Sequence, residues 1–394
     1  MTTNIEASPP RITLPALFLK FLRFGCLAFG GPVAQIAMVR QALVEEERWI
    51  SPARFNRLLA IMQVLPGPEA HELCVHMGMM ARGRVGGLLA GLGFMLPGFV
   101  LMLLAGWAYR DWIVGSPGAA SAFLGVQIVV LAIIARAVHR IGGHVLEDRL
   151  LILLALLSFV ATLASVPFWL PLVAAGLAYG FAARRVAMIG ILVAAALLAV
   201  LLHGGASTHV LASSAAKATV PLLFIAGLKG GLLTFGGAYT AIPYVRGDTV
   251  GRGWLTDGSF LDGVALAGVL PAPLVIFATF AGYVVGGVAG AVAITAGMFL
   301  PAFAFSMIFF ERLEAIVENP ALHRILAGVA AAVVGVIAAT LLQLGAAVLD
   351  RTTDLIAGGL ILAVGLIAVW RLKGPWVTPV LVIAAAVAGL ALTP

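Results

Sequence analysis

Two prolines in this chain follow glycines inside apolar sequence, at Gly31-Pro32 and Gly67-Pro68. Proline suits the first position of a helix because it lacks the N–H that would be unpaired there, so each pair predicts a flexible break followed by a new helical arm. The next N–H groups of such an arm have no partner, and a helix start carries roughly half a positive charge. At membrane depth that combination favours an anion. The candidate binding elements are therefore Phe29, Gly30, Gly31 and Pro32 at one break and Pro66, Gly67 and Pro68 at the next. Related elements recur at Phe235, Gly236 and Gly237 and at Pro271 and Pro273. There Ala238 stands in place of Pro32 and Ala272 in place of Gly67, which keeps the geometry with weaker chemistry.

Charged side chains near these breaks add to the chemistry. Arg23 and Lys229 each lie six residues before a Phe-Gly-Gly break, and a charge inside a span is costly enough to point to function. Two readings stay open for them: charge for a doubly charged anion, or snorkelling of a long side chain to an interface. Glu69, just inside the arm that begins at Pro68, either stabilises a helix start or carries a proton during transport. His71 and His76 are five residues apart, one more than the spacing that places two zinc ligands on one helical face. A structural role is expected for them and no metal site. Cys26 and Cys74 both sit in apolar context, which offers neither a disulfide framework nor a zinc ribbon.

The elements that must position these residues are membrane helices. Of 394 residues, 62% are hydrophobic and 10% charged, far from the roughly 25% charged residues of a soluble domain. Apolar runs such as Leu88 to Trp107, Val186 to Leu202 and Ala327 to Leu344 approach the roughly 20 residues a bilayer crossing needs. The first dozen residues lead into an apolar segment with no small-residue cleavage site, so no removable signal peptide is expected. The net charge of +7 comes from 24 basic and 17 acidic side chains scattered among hydrophobic spans, which argues against nucleic acid as a partner. The 46 glycines, with pairs such as Gly86-Gly87 and Gly286-Gly287, predict close helix packing.

An internal repeat organises the chain. Phe29-Gly30-Gly31 recurs at a spacing of 206, as do Arg23 with Lys229 and Arg40 with Arg246; Trp49 recurs at Trp254 and the Pro-x-Pro element at 205, and Leu96-Pro97 at 204. Such drift is what duplication followed by small deletions leaves. Arg82, Arg84, Arg136, Arg140, Arg149, Arg184, Arg185, Arg371 and Lys373 mark cytoplasmic helix ends under the positive-inside rule. Five crossings, beginning near Val85, Pro117, Leu150, Pro167 and Val186, then invert the second copy relative to the first. This holds if Leu14 to Ala81 and Pro221 to Val285 each return to the side they enter from. The expected fold is an all-α polytopic membrane protein of two homologous halves, an inverted-topology repeat with broken, re-entrant helical hairpins. Its parts are a tail at 1–13, a first repeat at 14–203, a linker at 204–218 and a second repeat at 219–394. Broken backbone at membrane depth should face a cavity, where such transporters hold their substrates.

Phe29-Gly30-Gly31-Pro32, Leu65-Pro66-Gly67-Pro68-Glu69, Leu96-Pro97-Gly98 and Thr234-Phe235-Gly236-Gly237 together resemble the chromate ion transporter family in its long, two-domain form, over nearly the whole chain. The resemblance implies chromate efflux across a bacterial inner membrane, conferring resistance and driven by an ion gradient; the absence of a P-loop agrees. It implies a transporter and not an enzyme, with no cofactor. The partners are then a chromate- or sulfate-like oxyanion, the bilayer, coupling protons and a second copy in a homodimer. His71, Glu72 and Ala272 depart from the family pattern, which bears on substrate more than on fold. An anion channel and a membrane-embedded hydrolase are the rival readings; the second would need a nucleophile with a base or a metal triad, and neither is apparent.

Overall fold

The structure is a computed structural model that describes residues 9, 11–62, 65–113, 116–213, 217–235, 237–308, 320–372, 374 and 376–392. Gly236, Lys373 and most of the N-terminal tail lie outside the described residues. Among these residues the regular secondary structure is all helical, with no strand. Four stretches are long and apolar enough to cross a membrane: Glu69–Ile113, Gly118–Val145, Leu274–Ile308 and Ala321–Leu349. Six shorter apolar helices accompany them. The protein is a multi-pass membrane protein.

Each half runs through the same elements. The first comprises α1 (Leu14–Cys26), α2 (Gly31–Arg40), α3 (Pro52–Met62), α4 (Glu69–Ala108), α5 (Pro117–Val145), α6 (Arg149–Leu163) and α7 (Trp169–Gly180). After α8 (Arg185–Ser213), the second half repeats the pattern with α9 (Val220–Leu232), α10 (Ile242–Thr249), α11 (Asp257–Val269) and α12 (Phe277–Ile308). It ends with α13 (Pro320–Leu349), α14 (Leu355–Arg371) and α15 (Val377–Gly389). Helix α8 takes in positions 204–213, which the sequence reading gave to the linker.

Glycine decides where the longest helices turn. In α4 the helical path breaks at Arg82 (φ −145°, ψ 29°) and Gly83 (φ 61°, ψ −155°); in α12 it breaks at Gly286 (φ −132°, ψ 16°) and Gly287 (φ 62°, ψ −155°). A positive φ of this size is one glycine adopts without a steric penalty. The arms on either side fold back on each other. A Cβ on Gly282 would lie 2.9 Å from the Gly290 carbonyl carbon, and one on Gly78 would lie 2.8 Å from that of Gly86. Only glycine permits backbones this close.

The same economy joins α1 to the second arm of α4, where a Cβ on Gly93 would stand 3.0 Å from the Leu22 amide nitrogen. Its counterpart joins α9 to α12, where a Cβ on Gly297 would stand 2.7 Å from the Leu228 amide nitrogen. In lipid, where tails are as apolar as leucine, such small-residue contacts are a main source of helix association. The halves then exchange their last helices. Helix α5 packs on α14 and α15 of the second half, and α13 packs on α6 and α7 of the first. Large apolar side chains face outward along this bundle, with Val186 at 87% exposure and Leu201 at 73%, as a lipid-facing surface requires.

Candidate functional site

Helix α1 stops at Cys26, and the Leu27 amide closes its last turn on the Arg23 and Phe24 carbonyls. Gly30 (φ 82°) and Gly31 (φ 77°) then take left-handed conformations, and α2 starts with a proline in its first turn. No side chain caps this start and no acidic residue occupies its first turn. Its free N–H groups are therefore available to a ligand. Phe29 stacks on Trp376 at 5.2 Å between ring centroids, which fixes the approach to the break.

Gly30 and Ala34 of this segment line a cavity of about 370 Å³ together with Arg136 and Arg140 of α5, Tyr239 and Thr378. A water molecule takes roughly 30 Å³ of liquid, so the space suits a small polyatomic anion that keeps some of its water. Arg136 and Arg140 are one helical turn apart, which puts both guanidinium groups on one face of α5. Each can bind an oxyanion through two N–H groups. Two hydroxyls and a helix start complete a donor-rich wall. Tyr239 brings the second half's Phe-Gly-Gly break to the same cavity, since it stands two residues after Gly237 (φ 134°).

The Pro-x-Pro breaks are buried, and they meet the Phe-Gly-Gly breaks of the opposite half. The Gly67 amide donates to the Thr234 carbonyl at 2.8 Å. Gln35 Nε2 donates to the Ala28 carbonyl at 2.9 Å and to the Ala272 carbonyl at 2.8 Å. Two further contacts are reciprocal. A Cβ on Gly67 would lie 3.2 Å from the Ala302 methyl, and a Cβ on Gly98 would lie 3.2 Å from Ala272 Cα. Phe29 to Pro32, Pro66 to Pro68, Phe235, Gly237, Pro271 and Pro273 thus belong to one region made by both halves.

The start of α4 differs in kind from that of α2. Its first turn holds Glu69 and Glu72, both buried, so acidic side chains crowd this start, whereas that of α2 has none. The His71 ring is wedged edge-on between Phe299 (4.8 Å) and Phe303 (4.7 Å) of α12, a packing role. Among the described residues no His, Cys, Asp or Glu cluster could hold a metal.

The two repeat-related cations lie away from the cavity wall. Arg23 is on the exposed side of α1, on the same stripe as Leu19 and Leu27. Lys229 pairs with Asp248 at 3.1 Å, and Asp248 also receives Arg252 at 3.1 Å. At the far end of the bundle a second polar cluster is closed on itself. Asp262 accepts from Tyr109 Oη at 2.8 Å and from Gln127 Nε2 at 2.7 Å, and Gln127 in turn accepts from Arg351 at 3.0 Å. It ties α4, α5, α11 and the end of α13 together.

Arg136, Arg140 and Tyr239 are what sequence reasoning missed as site residues. The arginines served only as orientation markers, although their spacing of four within an apolar helix already puts two charges on one face. Helix α13, the counterpart of α5, carries Arg324 near its start and no cation along the matching stretch. That asymmetry was the available signal.

Comparison with known proteins agrees with this layout. The Chromate transporter family model matches residues 15–181 and 221–390, one match in each half. The chain is 56% identical over 389 residues to the chromate transport protein of Pseudomonas aeruginosa, covering 98% of this chain and 94% of that one. It is 33% identical over 363 residues to the chromate transport protein of Cupriavidus metallidurans, covering 88% and 87%. An uncharacterized transporter of Methanocaldococcus jannaschii is 27% identical over 339 residues, 83% of each chain. No solved structure matches at a significant level. With both halves matched and relatives of this similarity along nearly its whole length, the chain belongs to the chromate transporter family.

Proposed function

We propose that this protein exports chromate from the cytoplasm across a bacterial inner membrane, as a secondary active transporter working by alternating access. The observation that carries the proposal is the cavity in which the uncapped start of α2 faces Arg136 and Arg140. Charge-assisted hydrogen bonds from guanidinium and backbone N–H groups are what a tetrahedral dianion needs.

Direction follows from where the cations lie. Arg136 and Arg140 occupy the last third of α5, on the side that Arg82, Arg84, Arg149, Arg184 and Arg185 mark as cytoplasmic under the positive-inside rule. The cavity then opens inward, and the Tyr109–Asp262–Gln127–Arg351 cluster closes the opposite side. An inside-negative potential drives an anion outward, at about 2.3 kcal/mol per charge for each 100 mV.

The halves are read as an inverted repeat. Between the turn at Arg82–Gly83 and the start of α9 run five helical segments: the second arm of α4, then α5, α6, α7 and α8. An odd number reverses the second half. The segments before each turn, α1 to the first arm of α4 and α9 to the first arm of α12, are short helices that fold back, which supports re-entrant hairpins from opposite sides. Coupling is assigned to a buried carboxyl in the first turn of α4, where Glu69 and Glu72 both stand.

Sulfate is the second substrate reading, because donors that accept one tetrahedral dianion also accept another of similar size. Uptake into inverted membrane vesicles tests the proposal. Saturable, energy-dependent chromate accumulation with competition by sulfate is expected. A non-saturating, ohmic anion current would instead mean a channel.

A further inference from the structure

We propose that Glu72 is the residue that carries a proton with the transported anion, occluded beneath the Gly67 break. The proposal rests on the transport reading above and assigns its coupling proton to Glu72 in place of Glu69. Glu72 is fully buried, and neither carboxyl oxygen has a hydrogen-bond partner among the described residues. It is aimed at the break: a Cβ on Gly67 would lie 2.9 Å from the Glu72 carboxyl carbon. Gly67, at φ 146°, thus leaves the space the carboxyl fills.

A carboxylate held there without a cation would be a stranded charge. Among the described residues no basic side chain pairs with it. Helix α12, packed across it, has no charged residue. Helix α1 brings Lys20, which is paired with Glu47, and Arg23 on its exposed side. On its own arm stand Glu69, His71 and His76, while Arg140 stands on α5 and Arg54 on α3. Glu69, three residues before it on the same arm, is acidic and offers no compensating charge. The site is also filled on its open side, with Ala302 against Gly67. The cation that matches Glu72 must therefore be small enough to need no ligand shell, which means a proton.

The lid over this site is the cross-half contact itself. Gly67 is held by its hydrogen bond to Thr234 and by its packing on Ala302. Any movement that parts the halves at the breaks lets water reach Glu72, so proton release follows the conformational step. The second half has no such group, because Phe277 stands where Glu72 does, at the same spacing of 205 that relates the Pro-x-Pro elements. One proton moving with a dianion leaves one net negative charge, which an inside-negative potential still drives outward.

The test uses the full chain in proteoliposomes with the potential clamped at zero and chromate on both sides, above neutral pH. With one unit of pH gradient, the wild type should accumulate chromate on the alkaline side about tenfold at equilibrium, the ratio for one proton per anion. Glu72→Gln, neutral in both conformations, should still exchange chromate within about threefold of the wild-type rate, as expected where no charge or binding group is lost, and show no accumulation. Wild type that exchanges without accumulating, Glu72→Gln that accumulates normally, or Glu72→Gln that loses exchange would each overturn the inference and leave the transport reading standing. Absence of exchange in the wild type would instead sink the transport reading. Should Glu72→Gln fail to reach the membrane, an apolar carbodiimide, which attacks carboxyls that hold a proton, is applied to the wild type. Labelling of Glu72 found by mass spectrometry supports the proposal, and an unlabelled Glu72 contradicts it.

Discussion

The Gly67 amide donates a hydrogen bond to the Thr234 carbonyl at 2.8 Å, joining the Pro-x-Pro break of one half to the Phe-Gly-Gly break of the other. Gln35 makes the complementary link from Ala28 to Ala272. Backbone polar groups freed by broken helices are costly in lipid, and here each half satisfies the other's. The breaks are therefore stable only as cross-half pairs.

Contact at Gly98 should be sensitive in the same reciprocal way. Gly98→Ala drives a methyl against Ala272, with an expected loss of about 1–3 kcal/mol from overpacking. Ala272→Gly in the same chain should recover most of that loss. Thermal denaturation of the purified single and double variants checks it; additive losses would mean that the two positions do not meet.

Gly31 is constrained by its backbone and not by its surroundings. Nothing lies within 4 Å of a Cβ there, yet φ is +77°. Gly31→Ala should cost about 1–2 kcal/mol through strain alone, and Gly31→Asn less, since asparagine tolerates the left-handed region. Equal losses for both, measured by denaturation, would point to a steric cause instead.

Lys229 is held by Asp248, so its removal should act on stability more than on transport. Lys229→Ala is expected to cost up to about 1 kcal/mol, because half-exposed ion pairs contribute little and Arg252 remains on Asp248. Asp248→Ala should cost more, since it strands both cations. A large rise in the chromate KM of Lys229→Ala with unchanged stability would return Lys229 to the binding site.

Asp148 sets a pH signature at the start of α6. Hydrogen bonds from the Tyr179 hydroxyl (2.6 Å) and from the Leu151 and Leu150 amides hold its carboxyl below the usual carboxylate range. A folded-state value below the unfolded one gives stability that is present above about pH 4 and lost as the pH falls through the folded value. Asp148→Ala should cost about 1 kcal/mol at neutral pH, as for a lost helix cap. That difference from wild type should shrink below about pH 4; one that persists in acid would rule out the carboxylate as its source.

Much of this architecture could be read from the residue order. The recurrence of Phe-Gly-Gly and Pro-x-Pro located all four breaks, because glycine and proline encode backbone geometry locally. Helix starts near Pro117 and Val186 followed from apolar runs bounded by arginine. What the sequence could not supply was which break is open. Gly31-Pro32 and Gly67-Pro68 look alike in one dimension, and only folding shows that the second is buried with Glu69 and Glu72 while Arg136 and Arg140 face the first. Nor could spacing reveal that Lys229 has a partner, since Asp248 lies on another helix.

The central claim is that Arg136 and Arg140 hold the anion at the start of α2. Equilibrium binding of radiolabelled chromate to purified protein in lipid nanodiscs tests it most directly. Each arginine supplies charge-assisted hydrogen bonds of about 1.5–3 kcal/mol, so the Arg136→Ala/Arg140→Ala variant should bind at least roughly a hundredfold more weakly, while Arg23→Ala stays within about threefold of wild type, as expected for an exposed charge. A double variant that binds chromate as tightly as the wild type would contradict the account.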